Sequence, residues 1–357
     1  MDIKITLKPE NERGKLPEDE STLGFGSLFT DHMFVMHYTE GKGWHNAEIK
    51  PYGPFELDPA ALVLHYGQEI FEGLKAYRWD SGDIYLFRPN KNIERLNNSA
   101  DRMVMPRVDP DFVLKAIKKL VEIEKDWVPH SQGTSLYIRP TYIATQPILG
   151  VRPSAEYIFY VILSPVGAYY ATGFNPVKIL VEEKYVRAAP GGVGFAKVGG
   201  NYAASLLAAK KAKEKGYTQV LWLDSAEHKY VEEVGTMNQF FKIGEKVLTA
   251  PLGGSILPGV TRDSVIHMLK DWGIDIEERS ITIDEVVEAW ENGKLDEAFG
   301  TGTAAVVTPV GELCYKEKCM VINDMEVGDL SQKLYDNLVG IQYGMKDDPY
   351  GWRVKVC

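Results

Sequence analysis

Apolar residues recur along this chain with two periods, and the change between them divides it. Residues 111–125 carry Val113, Ala116, Ile117, Leu120 and Val121 at helical spacing, with the start signal Asp109-Pro110 just ahead. Residues 92–103 also read as a helix, and residues 135–145 and 157–163 as strands. The span 157–177 carries no charge, but Ser164-Pro165, Gly167, Gly173 and Asn175-Pro176 interrupt it. Its apolar core therefore fits a buried strand and not a membrane span. The first half is strands and hairpins with two or three helices. After Gly173-Phe174-Asn175-Pro176 the pattern becomes more α/β. A helix over 202–215 closes at Gly216, a strand follows over 218–224, and a helix over 261–272 puts Val265, Met268, Leu269 and Trp272 on one face. Thr282, Asp284 and Glu285 cap a helix over 286–290, and a short strand over 295–299 runs into Gly300-Thr301-Gly302-Thr303-Ala304.

A length of 357 residues predicts two domains. The expected division is a small N-terminal α/β domain over 1–172, a linker over 173–186 and a larger C-terminal α/β domain over 187–357. Active sites often lie between such domains. The charge balance, 40 − 50 = −10, argues against nonspecific binding to nucleic acid or an anionic membrane. Cys314, Cys319 and Cys357 lack metal-ligand spacing, which argues for a reducing compartment and against a disulfide scaffold. The first twenty residues are polar and charged, so a cytoplasmic location is expected.

Chemistry concentrates in the second half. Lys197 stands among Gly191, Gly192, Gly194, Gly199 and Gly200. A backbone that bare approaches a flat ligand closely, and a lysine positioned there is a nucleophile toward aldehydes. Val198 follows Lys197, so the run is not a phosphate loop, and Lys197 occupies a position where a dinucleotide fingerprint needs glycine. The run Glu232-Glu233-Val234-Gly235-Thr236-Met237-Asn238 offers a carboxylate that would keep a heteroaromatic nitrogen protonated. Leu257-Pro258-Gly259-Val260-Thr261 leads into a helix whose first amides would hold a phosphate. The turn 300–304 would nest a second anion, such as a substrate carboxylate. Arg95, on a helix with Ile93 and Leu96, is either a surface ion-pair partner or a phosphate ligand. Each element alone has a plainer reading: a loop, solvated acids in a turn, an N-cap by Thr261, a tight turn. Together they specify pyridoxal phosphate.

The chain resembles the branched-chain amino-acid aminotransferases among the fold-type IV pyridoxal-phosphate enzymes. The resemblance runs from about Gly24 to the end, through residues 25–33, Phe71-Glu72-Gly73, Tyr137-Ile138-Arg139-Pro140, residues 191–202, residues 233–238 and Leu257-Pro258-Gly259-Val260. It implies a two-domain α/β fold of the α+β type, with the cofactor between the domains. Lys197 would join the cofactor as a Schiff base and move the proton at substrate Cα. Glu233 would pair with the pyridine nitrogen and Tyr202 with the ring's phenolic oxygen. Arg95, Val260, Thr261 and Thr303 would bind the phosphate, with Arg187 and Thr236 as further cofactor contacts. Thr303 and Ala304 would hold the substrate α-carboxylate. Phe29, Tyr66, Phe71, Tyr137 and Tyr169 would wall the side-chain pocket, with Arg139, beside Tyr66, meeting the γ-carboxylate of glutamate.

The implied reaction is a reversible, ping-pong transamination of L-leucine, L-isoleucine and L-valine with 2-oxoglutarate. A homodimer is implied, with the Gly150-Val151-Arg152 loop reaching toward the neighbouring active site. Ala305 and Thr308 stand where mammalian members carry a Cys-x-x-Cys pair, so redox switching by that route is not expected. Three alternatives stay open: a D-amino-acid aminotransferase, an aminodeoxychorismate lyase, and a non-catalytic protein that binds a phosphate ligand. No metal is expected.

Overall fold

The computed structural model describes residues 1–167 and 173–357. Among them the chain forms two compact units. The first takes in residues 1–167, Ala196–Gly199 and Gly340–Cys357, and the second residues 173–195 and Gly200–Val339.

In the first unit the strands are β1 (Lys4–Ile5), β2 (His32–Thr39), β3 (Gly43–Pro51), β4 (Glu69–Phe71), β5 (Leu74–Arg78), β6 (Ile84–Phe87), β7 (Ser135–Ala144) and β8 (Glu156–Val166). Its helices are α1 (Leu62–Tyr66), α2 (Pro89–Arg102) and α3 (Pro110–Ile123). The sheet runs β1-β3-β2-β8-β7-β5-β6, with β4 paired to β7 and the strand Arg353–Lys355 closing the edge beside β6. Apart from β1–β3, the pairings of this sheet are antiparallel. The expected stripe on α3 is the buried one, Val113, Ala116, Ile117, Leu120 and Val121. Asp109 caps that helix by accepting from the amides of Asp111 and Phe112. Helix α2 begins earlier than its apolar spacing suggests. Arg88 takes a left-handed φ of 50°, and Pro89 then fits the first helical position.

The second unit carries β9 (Val177–Val181), β10 (Gln219–Leu223), β11 (Val231–Val234), β12 (Met237–Ile243), β13 (Lys246–Thr249), β14 (Asp275–Glu278), β15 (Leu295–Gly302), β16 (Val306–Tyr315) and β17 (Lys318–Val321). Helices α4 (Gly199–Glu214), α5 (Val260–Asp271), α6 (Ile283–Glu291) and α7 (Asp329–Gln342) surround them. The order β11-β10-β9-β16-β15-β12 is completed by pairing of β11 with β12, so six strands close on themselves. Only the β9–β10, β9–β16 and β13–β14 pairings are parallel; the rest are antiparallel, so this half is mixed α/β. One apolar cluster collects Val177, Ile179, Leu221, Val234, Phe241 and Leu313 and is joined by Ile283 and Val286 of α6. Another packs Ala208 and Ala212 of α4 on Val220 and Trp222. Thr282 caps α6 by accepting from the amide of Glu285 at 3.0 Å, as the spacing predicts.

The reading of the cysteines needs correction. Cys314 and Cys319 face each other across the β16–β17 hairpin and form a disulfide, leaving Cys357 as a free, exposed thiol. The two-residue turn explains the pairing: Lys316 and Glu317 both take positive φ, 47° and 66°. That is the primed turn that matches strand twist, made here without the usual Asn-Gly. Among the described residues no helix is long and apolar enough to cross a membrane.

Glu297 ties β15 to α7. It is buried, and its carboxylate accepts from the amides of Leu330 and Ser331, both at 2.8 Å, and from the Ser331 hydroxyl at 2.7 Å. Replacing Glu297 with Ala leaves those donors unmet in a buried place, and a cost of about 2–3 kcal/mol is expected. Urea unfolding of Glu297→Ala against the native chain measures it; an unchanged midpoint would show that the cap contributes nothing.

Candidate active site

Lys197 is held through its backbone by the first unit. Its amide donates to Ser99 Oγ at 2.9 Å, and its carbonyl accepts from the amide of Phe71 at 3.0 Å. Two residues on, the amide of Gly199 donates to Glu69 Oε1. Ala196 and Val198 are buried on either side. The lysine Nζ lies 4.8 Å from the centroid of the Phe71 ring, a cation over a π face. A Cβ at Gly199 would overlap the Glu69 carboxylate, so a side chain there would displace the acceptor of its own amide. Gly191 has a different reason, a φ of +79°.

Arg95 is not a surface residue. It is buried on α2, and its Nε and Nη2 donate to the two oxygens of Glu72 at 2.7 and 2.8 Å. Asn92, one turn earlier, adds a bond to Glu72 Oε2 at 2.9 Å. Burial alone would raise the Glu72 carboxyl. The Arg95 ion pair, the Lys197 charge and the Asn92 bond outweigh it and hold the group below the usual 4.5. Asn92, Arg95 and Ser99 form a polar stripe at helical spacing on the buried face of α2. Sequence reasoning singled out Arg95 and missed Ser99 and Glu72. The signal was there: polar residues at i, i+3 and i+7 among apolar neighbours.

Strands β4, β5 and β7 bring the pocket residues together. The Arg139 guanidinium lies 4.8 Å from the Phe71 ring centroid and 5.3 Å from that of Tyr137, and its Nη2 reaches the Tyr137 hydroxyl at 3.4 Å. Its Nε is buried and has no hydrogen-bond partner among the described residues. Tyr137 packs edge-on to Phe25 at 5.1 Å. Two expected pocket residues have other partners. Tyr66 ends α1, is exposed and donates its hydroxyl to the carbonyl of Leu149, while Phe29 stacks on Tyr52 at 5.2 Å. Tyr169 lies outside the described residues.

The second unit carries the acid and the expected anion sites. Glu233 is buried on β11. Its Oε1 accepts from the amide of Leu257 at 2.7 Å and from Asn238 Nδ2 at 3.3 Å, and its Oε2 lies 3.1 Å from Arg187 Nε. Arg187 also donates to the carbonyls of Gly194 and Ser255. One arginine therefore joins the acid to the glycine run and to the loop before α5. Thr236 is exposed in the tight β11–β12 turn. Val260 and Thr261 open α5 behind Gly259, and no side chain caps that helix. A Cβ at Gly259 would strike Asn238 Oδ1, so a side chain there would push that amide away. Thr303 and Ala304 form the turn from β15 into β16, and the nearby Thr301 Oγ1 is buried without a partner. Tyr202 stands in the first turn of α4.

Residues 69–313 match the Amino-transferase class IV family. The chain belongs to that family. It is 54% identical over 355 residues to branched-chain-amino-acid aminotransferase 2 of Bacillus subtilis, covering 99% of this chain and 98% of that one. It is 58% identical over 339 residues to branched-chain-amino-acid transaminase 1 of the same organism, covering 95% of each. Among solved structures, the branched-chain amino acid aminotransferase of Escherichia coli matches with a TM-score of 0.77 at 27% identity, over 92% of this chain and 99% of that one. A branched-chain amino acid aminotransferase solved with pyridoxamine 5'-phosphate matches with a TM-score of 0.75 at 28% identity, over 91% of this chain and 98% of that one.

Lys75 is the buried cation that sequence reasoning passed over. It pairs in register with Tyr137, and burial lowers its amine from 10.5 to about 8. A folded value below the unfolded one weakens the fold wherever the amine is charged. The penalty is full below about pH 8 and fades as pH rises toward 10.5. Lys75→Met removes this pH-dependent penalty, so the stability of the variant relative to the native chain should fall between pH 7 and 11, as urea midpoints at the two pH values check.

Proposed function

We infer that this chain is a branched-chain-amino-acid transaminase. It moves an amino group reversibly between L-leucine, L-isoleucine or L-valine and 2-oxoglutarate, in a ping-pong cycle with pyridoxal 5'-phosphate. The observation that carries the reading is Lys197. Its backbone is fixed at both polar groups, while its amine is carried over an aromatic face.

The residues present suit that cofactor. Donors converge on the oxygens of buried Glu233, as a partner for a ring N–H requires. The uncapped start of α5 suits a phosphate. The buried Thr301 hydroxyl adds a polar group beside the expected anion turn. When bound, pyridoxal phosphate supplies an aldehyde and a ring that takes up electrons released at substrate Cα.

The chain's own residues do the rest. Lys197 would hold the aldehyde carbon; displaced from it by the substrate amine, its freed amine would take the Cα proton and return it two atoms away, at the carbon it had left. Glu233 holds the proton on the ring nitrogen, and Arg187 keeps Glu233 in place. Tyr202 donates to the ring oxygen. Arg95, oriented by Glu72, binds the phosphate with Val260, Thr261 and Thr303, and Thr236 adds a further cofactor contact. Thr303 and Ala304 hold the α-carboxylate. Phe29, Tyr66, Phe71, Tyr137 and Tyr169 receive the aliphatic side chain. Arg139, whose buried Nε lacks an acceptor, meets the second carboxylate of glutamate.

The working form is a cytoplasmic homodimer on this reading. Exposed apolar side chains at Leu149, Val151, Leu206 and Leu207 support association. Light scattering should give twice the 40.0 kDa chain mass, and a monomer would count against it.

Lys197→Ala is expected to abolish glutamate formation from L-leucine and 2-oxoglutarate. Glu233→Ala should lower the rate on the order of a hundredfold while cofactor still binds. Borohydride reduction of the native enzyme should fix the cofactor on the peptide bearing Lys197. Near-normal turnover by Lys197→Ala, or a preference for D-alanine over L-leucine, would overturn the assignment.

A further inference from the structure

The polar face around Phe71 in the first unit has an uneven charge balance. Its cations are Lys75, Arg95, Arg139 and Lys197, and its carboxylates are Glu69 and Glu72. Glu72 is committed to Arg95 by a two-pronged ion pair. Arg139 touches no carboxylate among the described residues, and its Nε is buried without an acceptor. Glu69 is the remaining anion.

The register places it. Strands β4 and β7 are antiparallel, with Phe71 opposite Thr141 and Glu69 opposite Ile143, and Tyr160 of β8 also stands opposite Thr141. Side chains alternate along a strand and paired residues share a face. Glu69, Phe71, Arg139 and Tyr160 therefore lie on one face. The Arg139 guanidinium is drawn over the Phe71 ring, which brings it back along the strand toward Glu69. Burial raises the Glu69 carboxyl, and the Gly199 amide and the Arg139 charge pull it the other way. The Tyr160 phenol responds to both charges. Glu69 and Arg139 thus interact through space without forming an ion pair.

We propose that Glu69 is the resident counter-charge of Arg139 and sets how strongly the enzyme prefers a dicarboxylate to an aliphatic substrate. This rests on the reading of Arg139 as the group that meets the glutamate side chain. An aliphatic substrate gives Arg139 no partner, and a partly desolvated cation is costly unless a carboxylate stands near. Glu69 offsets that cost. A dicarboxylate gains Arg139 but must approach against the Glu69 charge, and a like charge near a site acts as a selectivity filter. One side chain thereby keeps both substrate classes usable at one pocket.

Glu69→Gln removes the charge and keeps an oxygen that accepts from Gly199. The test compares kcat/KM of the holoenzyme for 2-oxoglutarate and for 4-methyl-2-oxopentanoate. The ratio should shift about three- to tenfold toward 2-oxoglutarate through KM, with kcat changed less than about twofold. A purely structural role would lower both substrates in parallel, and that result or an unmoved ratio would overturn the proposal. Should Glu69→Gln fail to fold, Glu69→Asp keeps the charge and should hold the ratio within about twofold; a larger shift in it would count against a charge effect. A native enzyme inert toward both acceptors would remove the reading beneath this inference. An active one with a fixed ratio removes only the inference.

Discussion

On the proposed reading, the chemistry of this enzyme depends on how four residues, Ala196–Gly199, are seated on the first unit. A lysine side chain has four rotatable carbons and no fixed position of its own. Fixing both polar groups of its peptide, from Ser99 and from Phe71, anchors the root of that side chain. Nearby glycines exist to permit the seating: a side chain at position 199 would displace the carboxylate that receives its amide.

A second theme is the use of buried charge in pairs. Glu72 with Arg95 and Glu233 with Arg187 are each nearly closed to solvent. Such pairs contribute little net stability, because desolvation cancels much of the attraction. Their value is orientation. The Arg95 guanidinium has one edge gripped by a carboxylate, and the Glu233 carboxylate is gripped by an arginine that also holds two loop carbonyls. Each unit therefore presents a functional group already aimed, so binding need not pay to order it.

The helices were legible because their apolar stripes repeat at 3.6 residues, and α3 and α6 even announce their caps through Asp109 and Thr282. The lysine, the acid at 233 and the α5 start were legible as residue types in odd company. What stayed hidden depends on pairing across long sequence separations. The closure of six strands through β11 and β12 looks locally like any tight turn. Glu69 and Lys75 carry no local mark, because their importance comes from what the sheet brings beside them. The Cys314–Cys319 bridge was hidden by a primed turn built from Lys and Glu, residues that rarely take positive φ. The interleaving of the two units was equally invisible, since residues 196–199 differ in no compositional sense from their neighbours.

The seating of Lys197 also bears on how the chain acquires activity. The hydrogen bond from its amide to Ser99 Oγ spans 98 residues, and that from the Gly199 amide to Glu69 spans 130. Contacts of such separation form late, after the local helices and hairpins. On the proposed reading, a nascent or partly collapsed chain therefore has the lysine but not the seating that positions it. Capture of pyridoxal phosphate during refolding would then mark a late ordering step, making cofactor binding a clock for maturation.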